Sequence, residues 1–289
     1  MNWQKTVCIG IWVFCSVFYI QAQQAYAIFD DKGEAITLEE MLERLPSADA
    51  VLFGELHNNP IAHWLEMEIL QSLAAQEQPV ILGMEMFERD QQQVLDEMYD
   101  GLFDLKKLAD YTRTWPNYAT DYKPLIKYAL EKDIRLVASN IPRRYASFVF
   151  YEGRNALYKK QIPSEWLPPA NFVIDTTLSS YAEVLEMGAQ MAGHDSKNFL
   201  AAQAIKDATM AESMWKERKN NEILYHIHGG FHSKNKEGIA YYLKAYSPKI
   251  KVFTLQCQET ETPDTFEQQN NDSASFYIQI NPLISKSYE

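Results

Sequence analysis

Short apolar runs alternate with longer amphipathic stretches along most of this chain, and that alternation narrows the fold more than any other feature. Ala50 to Leu56 reads as a buried strand. Pro60 to Ala75 follows, with Ile61, Leu65, Ile69 and Leu73 four apart on one helical face. Pro79 to Phe87 is a second strand, and Glu88 to Tyr99 a charged amphipathic helix. A helix over Tyr122 to Glu131 leads into the strand Arg135 to Ser139. Further along come a long helix (Phe199 to Lys219), a strand (Glu222 to Ile227) and a helix (Gly238 to Tyr246), and Ile250 to Gln256 and Phe276 to Ile280 are closing strands. Strands separated by helices of this length imply βαβ crossovers, hence an α/β fold with a mostly parallel sheet flanked by helices.

The alternation breaks at residues 142–193, a stretch rich in Tyr, Pro and Ser that reads as a helical insertion capping the sheet. Gln258 to Ser275 is polar and acidic, as expected of a surface loop. With no internal repeat and no clear linker, residues 26–289 are expected to form one domain that includes the insertion.

The N-terminus bears on the compartment. Met1 to Lys5 is a short basic region, Thr6 to Ile20 an apolar run, and polar Gln21 to Ala25 follows. This pattern predicts a secretory signal peptide over residues 1–25, cleaved between Ala22 and Ala27, and hence an extracytoplasmic protein; an N-terminal anchor helix is the competing reading. Cys8 and Cys15 fall inside the segment, and neither follows the pattern of a lipid-attachment cysteine. The mature chain keeps only Cys257, which excludes an internal disulfide or a cysteine-based metal cluster and is expected in the core. A net charge of −12 argues against a nucleic-acid partner, which would require a basic face.

Two phrases carry the chemistry: Gly54-Glu55-Leu56-His57 and Gly229-Gly230-Phe231-His232. Each delivers a histidine just beyond a buried strand, where α/β sheets bind ligands. The other strand ends add Glu85 and Glu88, then Asn140, Arg143 and Arg144, then His228, so four segments converge on one rim. His57 and His232 with Glu55 and Glu85 would suit a divalent zinc, iron or manganese ion that could activate water. The competing reading has Glu55 and Glu85 as buried carboxylates paired for structural reasons. His63, one turn into the first helix, is expected to be solvated or packed on its helix, and His226 to be a core residue. His194 is expected to position its loop. Tyr111, Trp115, Tyr118 and Tyr122 cluster between the second and third strands. Such a stripe is usually core packing, yet tyrosine can ligate ferric haem, and Arg143 and Arg144 could pair with its propionates.

Several segments resemble, in order, the signatures of the ChaN-like haem-binding uptake family of the Tiki superfamily. They are Val51 to Pro60, Ile81 to Asp90 with Gln91 and Gln92, Trp115 to Tyr122, Ala138 to Arg143, Gln203 to Met210 with Ala211, and His228 to His232. The resemblance spans the mature chain and implies a Tiki and erythromycin-esterase-like α/β fold with a helical part. It also implies haem as ligand, held as a cofacial pair between two subunits with tyrosine on the iron. Carried over by position, Glu55, His57, Glu85 and His232 form the superfamily's polar pocket. Tyr118 and Tyr122 become the haem-ligand candidates, with Arg143 and His63 beside them. The chain departs at Asn58 and Ala62, where the family tends to carry Asp and His, and it lacks the lipid-attachment cysteine of many members. Two functions are therefore expected: a haem binder without turnover, serving iron uptake as a homodimer with an outer-membrane haem receptor as possible partner, or a metal-dependent protease or esterase. A scaffold that has lost both activities is a third.

Overall fold

The computed structural model describes residues 24–190, 193–219, 221–268 and 272–288. The signal-peptide expectation, together with Cys8 and Cys15, lies almost wholly outside the described residues.

The chain opens with strands β1 (Tyr26–Asp30) and β2 (Ala35–Ile36) and helix α1 (Leu38–Arg44), none of them evident from periodicity. Two residues of β2 are too few to show alternation. Helix α1 did carry a sequence signal: Thr37 and Glu40 form a capping box at its start. Then follow β3 (Ala50–Glu55), α2 (Pro60–Ala74), β4 (Val80–Glu88), α3 (Gln92–Tyr99), the short α4 (Leu108–Tyr111), α5 (Lys123–Glu131) and β5 (Leu136–Asn140). The expected helix from Tyr122 is in fact α5, preceded by one π-turn over Tyr118–Tyr122. Pro124, which lacks an N–H to donate, fits the first turn of α5 and would be costly deeper inside.

The insertion contains α6 (Arg143–Glu152), α7 (Arg154–Leu157) and α8 (Ser179–Gln190). The chain finishes with α9 (Ser196–Glu217), β6 (Ile223–Gly229), α10 (Ile239–Tyr246), β7 (Val252–Glu259) and β8 (Phe276–Ile280). Buried Arg89 pins the insertion to α9: it donates to Glu212 (2.7 Å), the Thr209 carbonyl (2.9 Å) and the Leu167 carbonyl (3.0 Å).

Among the described residues, eight strands order as β2-β1-β8-β7-β3-β6-β4-β5. From β8 to β5 every pairing is parallel, and only β1 runs antiparallel to its neighbours. Because β6 returns between β3 and β4, the ends of these three strands lie side by side. Side chains alternate across a strand, so the two faces of the sheet receive different residues. Val51 and Phe53 of β3 pack with α1, α2, α3 and α5 on one face. Ala50 and Leu52 pack with α8, α9 and α10 on the other. Fully buried side chains such as Phe53, Leu65 and Ile69 each contribute about 1.5–3 kcal/mol of apolar burial. Cys257 and His226 are buried, in line with expectation.

Candidate functional site

The two glycine-histidine phrases meet at the ends of β3 and β6. Gly54 registers against His228 and Glu55 against Gly229. A Cβ on Gly54 would stand 2.9 Å from the Gly230 Cα, so this close approach of backbones requires glycine. A Cβ on Gly229 would stand 2.7 Å from His57 Nε2, so the bare backbone there is what lets the imidazole lie across the strand end.

Strand alternation then sends the two glutamates apart. Glu55 follows Val51 and Phe53 to the face covered by α2, where it is 2% exposed. Its Oε1 accepts a hydrogen bond from the Tyr122 hydroxyl at 2.6 Å and lies 2.5 Å from His57 Nδ1. Helix α2 brings His63 and Glu66 to the same place: His63 Nδ1 is 3.2 Å from Glu66 Oε2 and 3.6 Å from Glu55 Oε2. Burial, with Glu66 beside it, pushes Glu55 up to about 8. Burial also pushes Glu66 up to about 8, with Asp121 adding to the effect. The neighbourhood is closed by aromatic edges, with ring centroids of Tyr122 and His63 5.1 Å apart and those of Trp115 and His57 4.9 Å apart. Asn117 donates to the His57 carbonyl (2.8 Å), and the tail residue Ser287 donates to Asp121 (2.6 Å).

Glu85 faces α9. It accepts from the Gly229 N–H at 2.9 Å and sits 3.3 Å from His232 Nε2. On its other side His232 Nδ1 bonds Asp207, which also accepts a hydrogen bond from the Tyr181 hydroxyl at 2.8 Å. Burial alone would raise the Glu85 carboxyl, but cationic His232 outweighs it and holds Glu85 well below the usual carboxylate range. Burial alone would lower His232, but the Glu85 and Asp207 carboxylates push it up to about 9. Behind this array, Ser139 donates to the Met84 carbonyl (2.8 Å) and His226 Nε2 lies 2.8 Å from Ser139 Oγ. Burial pushes His226 down to about 3, so it is neutral.

The four residues expected to share one ion are thus divided. Glu55 and His57 belong to one face, Glu85 and His232 to the other, and only His57, lying over Gly229, approaches both. His57 is the one of the four that reaches solvent, its side chain being 37% exposed. Burial would lower it, but its bond to Glu55 raises it. His63, expected to be solvated or helix-packed, is buried with both ring nitrogens engaged. Tyr118 and Tyr122 are both buried, and the Tyr118 hydroxyl has no hydrogen-bond partner. Burial pushes that phenol up to about 12. Arg143 is exposed at the start of α6, while Arg144 is committed to Asp90 at 2.6 Å. Sequence reasoning missed Glu66 and gave Asp207 no role. Each is an acidic residue on a helix face otherwise lined by core side chains.

Beyond its own geometry, the chain has recognisable relatives. It is 28% identical over 183 residues to Protein RETICULATA-RELATED 5, chloroplastic, of Arabidopsis thaliana, a match covering 59% of this chain and 25% of that protein. The matched part is therefore about a quarter of that relative's length. In fold it superposes on a structure described as cofacial heme binding to ChaN of Campylobacter jejuni, with a TM-score of 0.65 and 15% identity. That superposition covers 88% of this chain and 96% of the other. An erythromycin esterase in its open conformation gives a TM-score of 0.48 at 10% identity, over 90% of this chain and 83% of the esterase. Residues 41–243 match the family described as haem-binding uptake, Tiki superfamily, ChaN, which takes in both glycine-histidine phrases and the Trp115–Tyr122 segment. The chain belongs to this ChaN family of the Tiki superfamily.

Proposed function

We propose that this protein binds haem outside the cytoplasm in the service of iron uptake, as a homodimer closing over a cofacial pair. Family membership over residues 41–243 carries the reading. The local geometry that supports it is the exposed edge where His57 meets Trp115, backed by the two tyrosines. Of those, Tyr118 is the proposed iron ligand, since its hydroxyl is unpartnered while that of Tyr122 is spent on Glu55. With the phenol pushed up to about 12, the ferric ion itself would have to displace the proton. Exposed Arg143 is the proposed propionate partner. No described helix is long and apolar enough to cross a membrane. An outer-membrane haem receptor is the proposed delivery partner.

Haemin titration of the mature chain is expected to give a saturable Soret band of tyrosinate type and a shift to dimer on size exclusion. Absence of a saturable band refutes the reading. A wild-type band in Tyr118→Phe would refute only the ligand assignment. The Asp207–His232–Glu85 array favours a second reading as a hydrolase, with His232 as proton donor. Ester and peptide substrates that are turned over by wild type and not by His232→Gln would support it, and no turnover by wild type would remove it.

A further inference from the structure

On the α2 face, three atoms able to ligate a metal converge. His63 Nε2 lies 3.1 Å from the His57 carbonyl and 3.3 Å from Asp121 Oδ2. A carbonyl oxygen can only accept, so Nε2 carries the imidazole hydrogen and Nδ1 is left with a lone pair. That lone pair points between Glu55 and Glu66. One ligand atom from each of the three residues lies within 4.8 Å of the others, and all three residues are buried. Glu55 Oε2 and Glu66 Oε1 have no hydrogen-bond partner at all. Buried carboxylate oxygens left without donors are costly unless protons are taken up or a cation stands among them.

The outer contacts have the form that metal ligands take. A ligating imidazole usually gives its other N–H to a carbonyl or carboxylate, as His63 does, and ligating carboxylates are themselves hydrogen-bonded. Glu55 meets the second condition, with Oε1 held by Tyr122 and His57 while Oε2 accepts no hydrogen bond. We infer that Glu55, His63 and Glu66 form a buried site for one divalent transition cation of the zinc or manganese class, separate from the Glu85–His232 array. On binding, the ion would displace the protons of the acid pair, and two carboxylates with one neutral imidazole then balance a dication. Through Glu55 the ion would fix the orientation of His57 at the rim. Asp121 is a positioning residue, acting through His63.

The test uses the haem-free mature chain, so its outcome is independent of haem binding. Elemental analysis after incubation with zinc or manganese chloride and desalting is expected to find one metal per chain and a raised unfolding midpoint. Glu66→Gln and His63→Asn, checked for folding by circular dichroism, should lose the metal. Asp121→Asn should keep it with affinity weakened about 10–100-fold. Glu85→Gln should keep it unchanged. The inference falls if wild type takes up neither metal, or if the metal survives Glu66→Gln and His63→Asn but is lost in Glu85→Gln.

Discussion

Glu55 and Glu85 stand at the ends of parallel strands, both buried, on opposite faces of one sheet, yet their carboxyls are shifted in opposite directions. Glu85 faces His232 and stays ionised, and His232 charges in return. Glu55 faces another carboxyl, Glu66, and burial drives both up to about 8. What a buried acid does depends on what the opposing helix presents to it: α9 supplies Asp207 behind a histidine, whereas α2 supplies Glu66 beside one. Both clusters bind extra protons on folding, one on a cation and one on an acid pair.

The sharpest way to break this contrast is His232→Ala. If the cation is what compensates Glu85 and Asp207, losing it strands two buried carboxylates and costs about 3–5 kcal/mol in denaturant unfolding. A cost below about 1 kcal/mol would mean that Glu85 is held by backbone contacts such as the Gly229 N–H. Next in size is Tyr122→Phe, which removes the donor to Glu55 Oε1 and leaves that oxygen with His57 alone. A loss of about 1–3 kcal/mol is expected, with no change in the His232 titration followed by NMR.

The smallest effect concerns pH. Glu55 and Glu66 lie above their ordinary 4.5, so the folded state gives up stability as pH rises from 4.5 towards 8. His232 lies above its ordinary 6.5, so its contribution is complete below 6.5 and is lost as pH rises through about 9. The lowered Glu85 contributes above 4.5 and fades on acidification. In chelator-treated protein, Glu66→Gln should therefore flatten the lower slope, with a larger gain at pH 8 than at pH 5, while the slope due to His232 survives. Equal gains at both values would contradict the acid-pair description.

Much of the rim could be read from the chain because glycines and strand ends are local signals. Glu55, His57, Glu85 and His232 all stand at the ends of the strands that were expected to carry them. The pleat was the harder part. Strand phase was legible in principle from Val51 and Phe53 against Ala50 and Leu52, but only packing shows which helices cover which face. Glu66 escaped notice, and His63 was expected to be solvated or helix-packed, because the helical stripe was drawn through Ile61, Leu65, Ile69 and Leu73, whereas the buried arc is wide enough to take in the next positions round. Asp207 sits inside a quoted motif, but its partner Tyr181 lies in the insertion, remote along the chain. The N-terminal strands were missed because β1 is antiparallel and β2 too short for periodicity.

The sheet separates the two acid clusters, with Gly229 and His57 as the place where they come nearest. Substitutions within one cluster should therefore be strongly epistatic with each other and close to additive with those across the sheet. On that view the chain is free to drift on either face independently, and sequences could lose one cluster while retaining the other. Only Gly229 and His57 would be answerable to both histories.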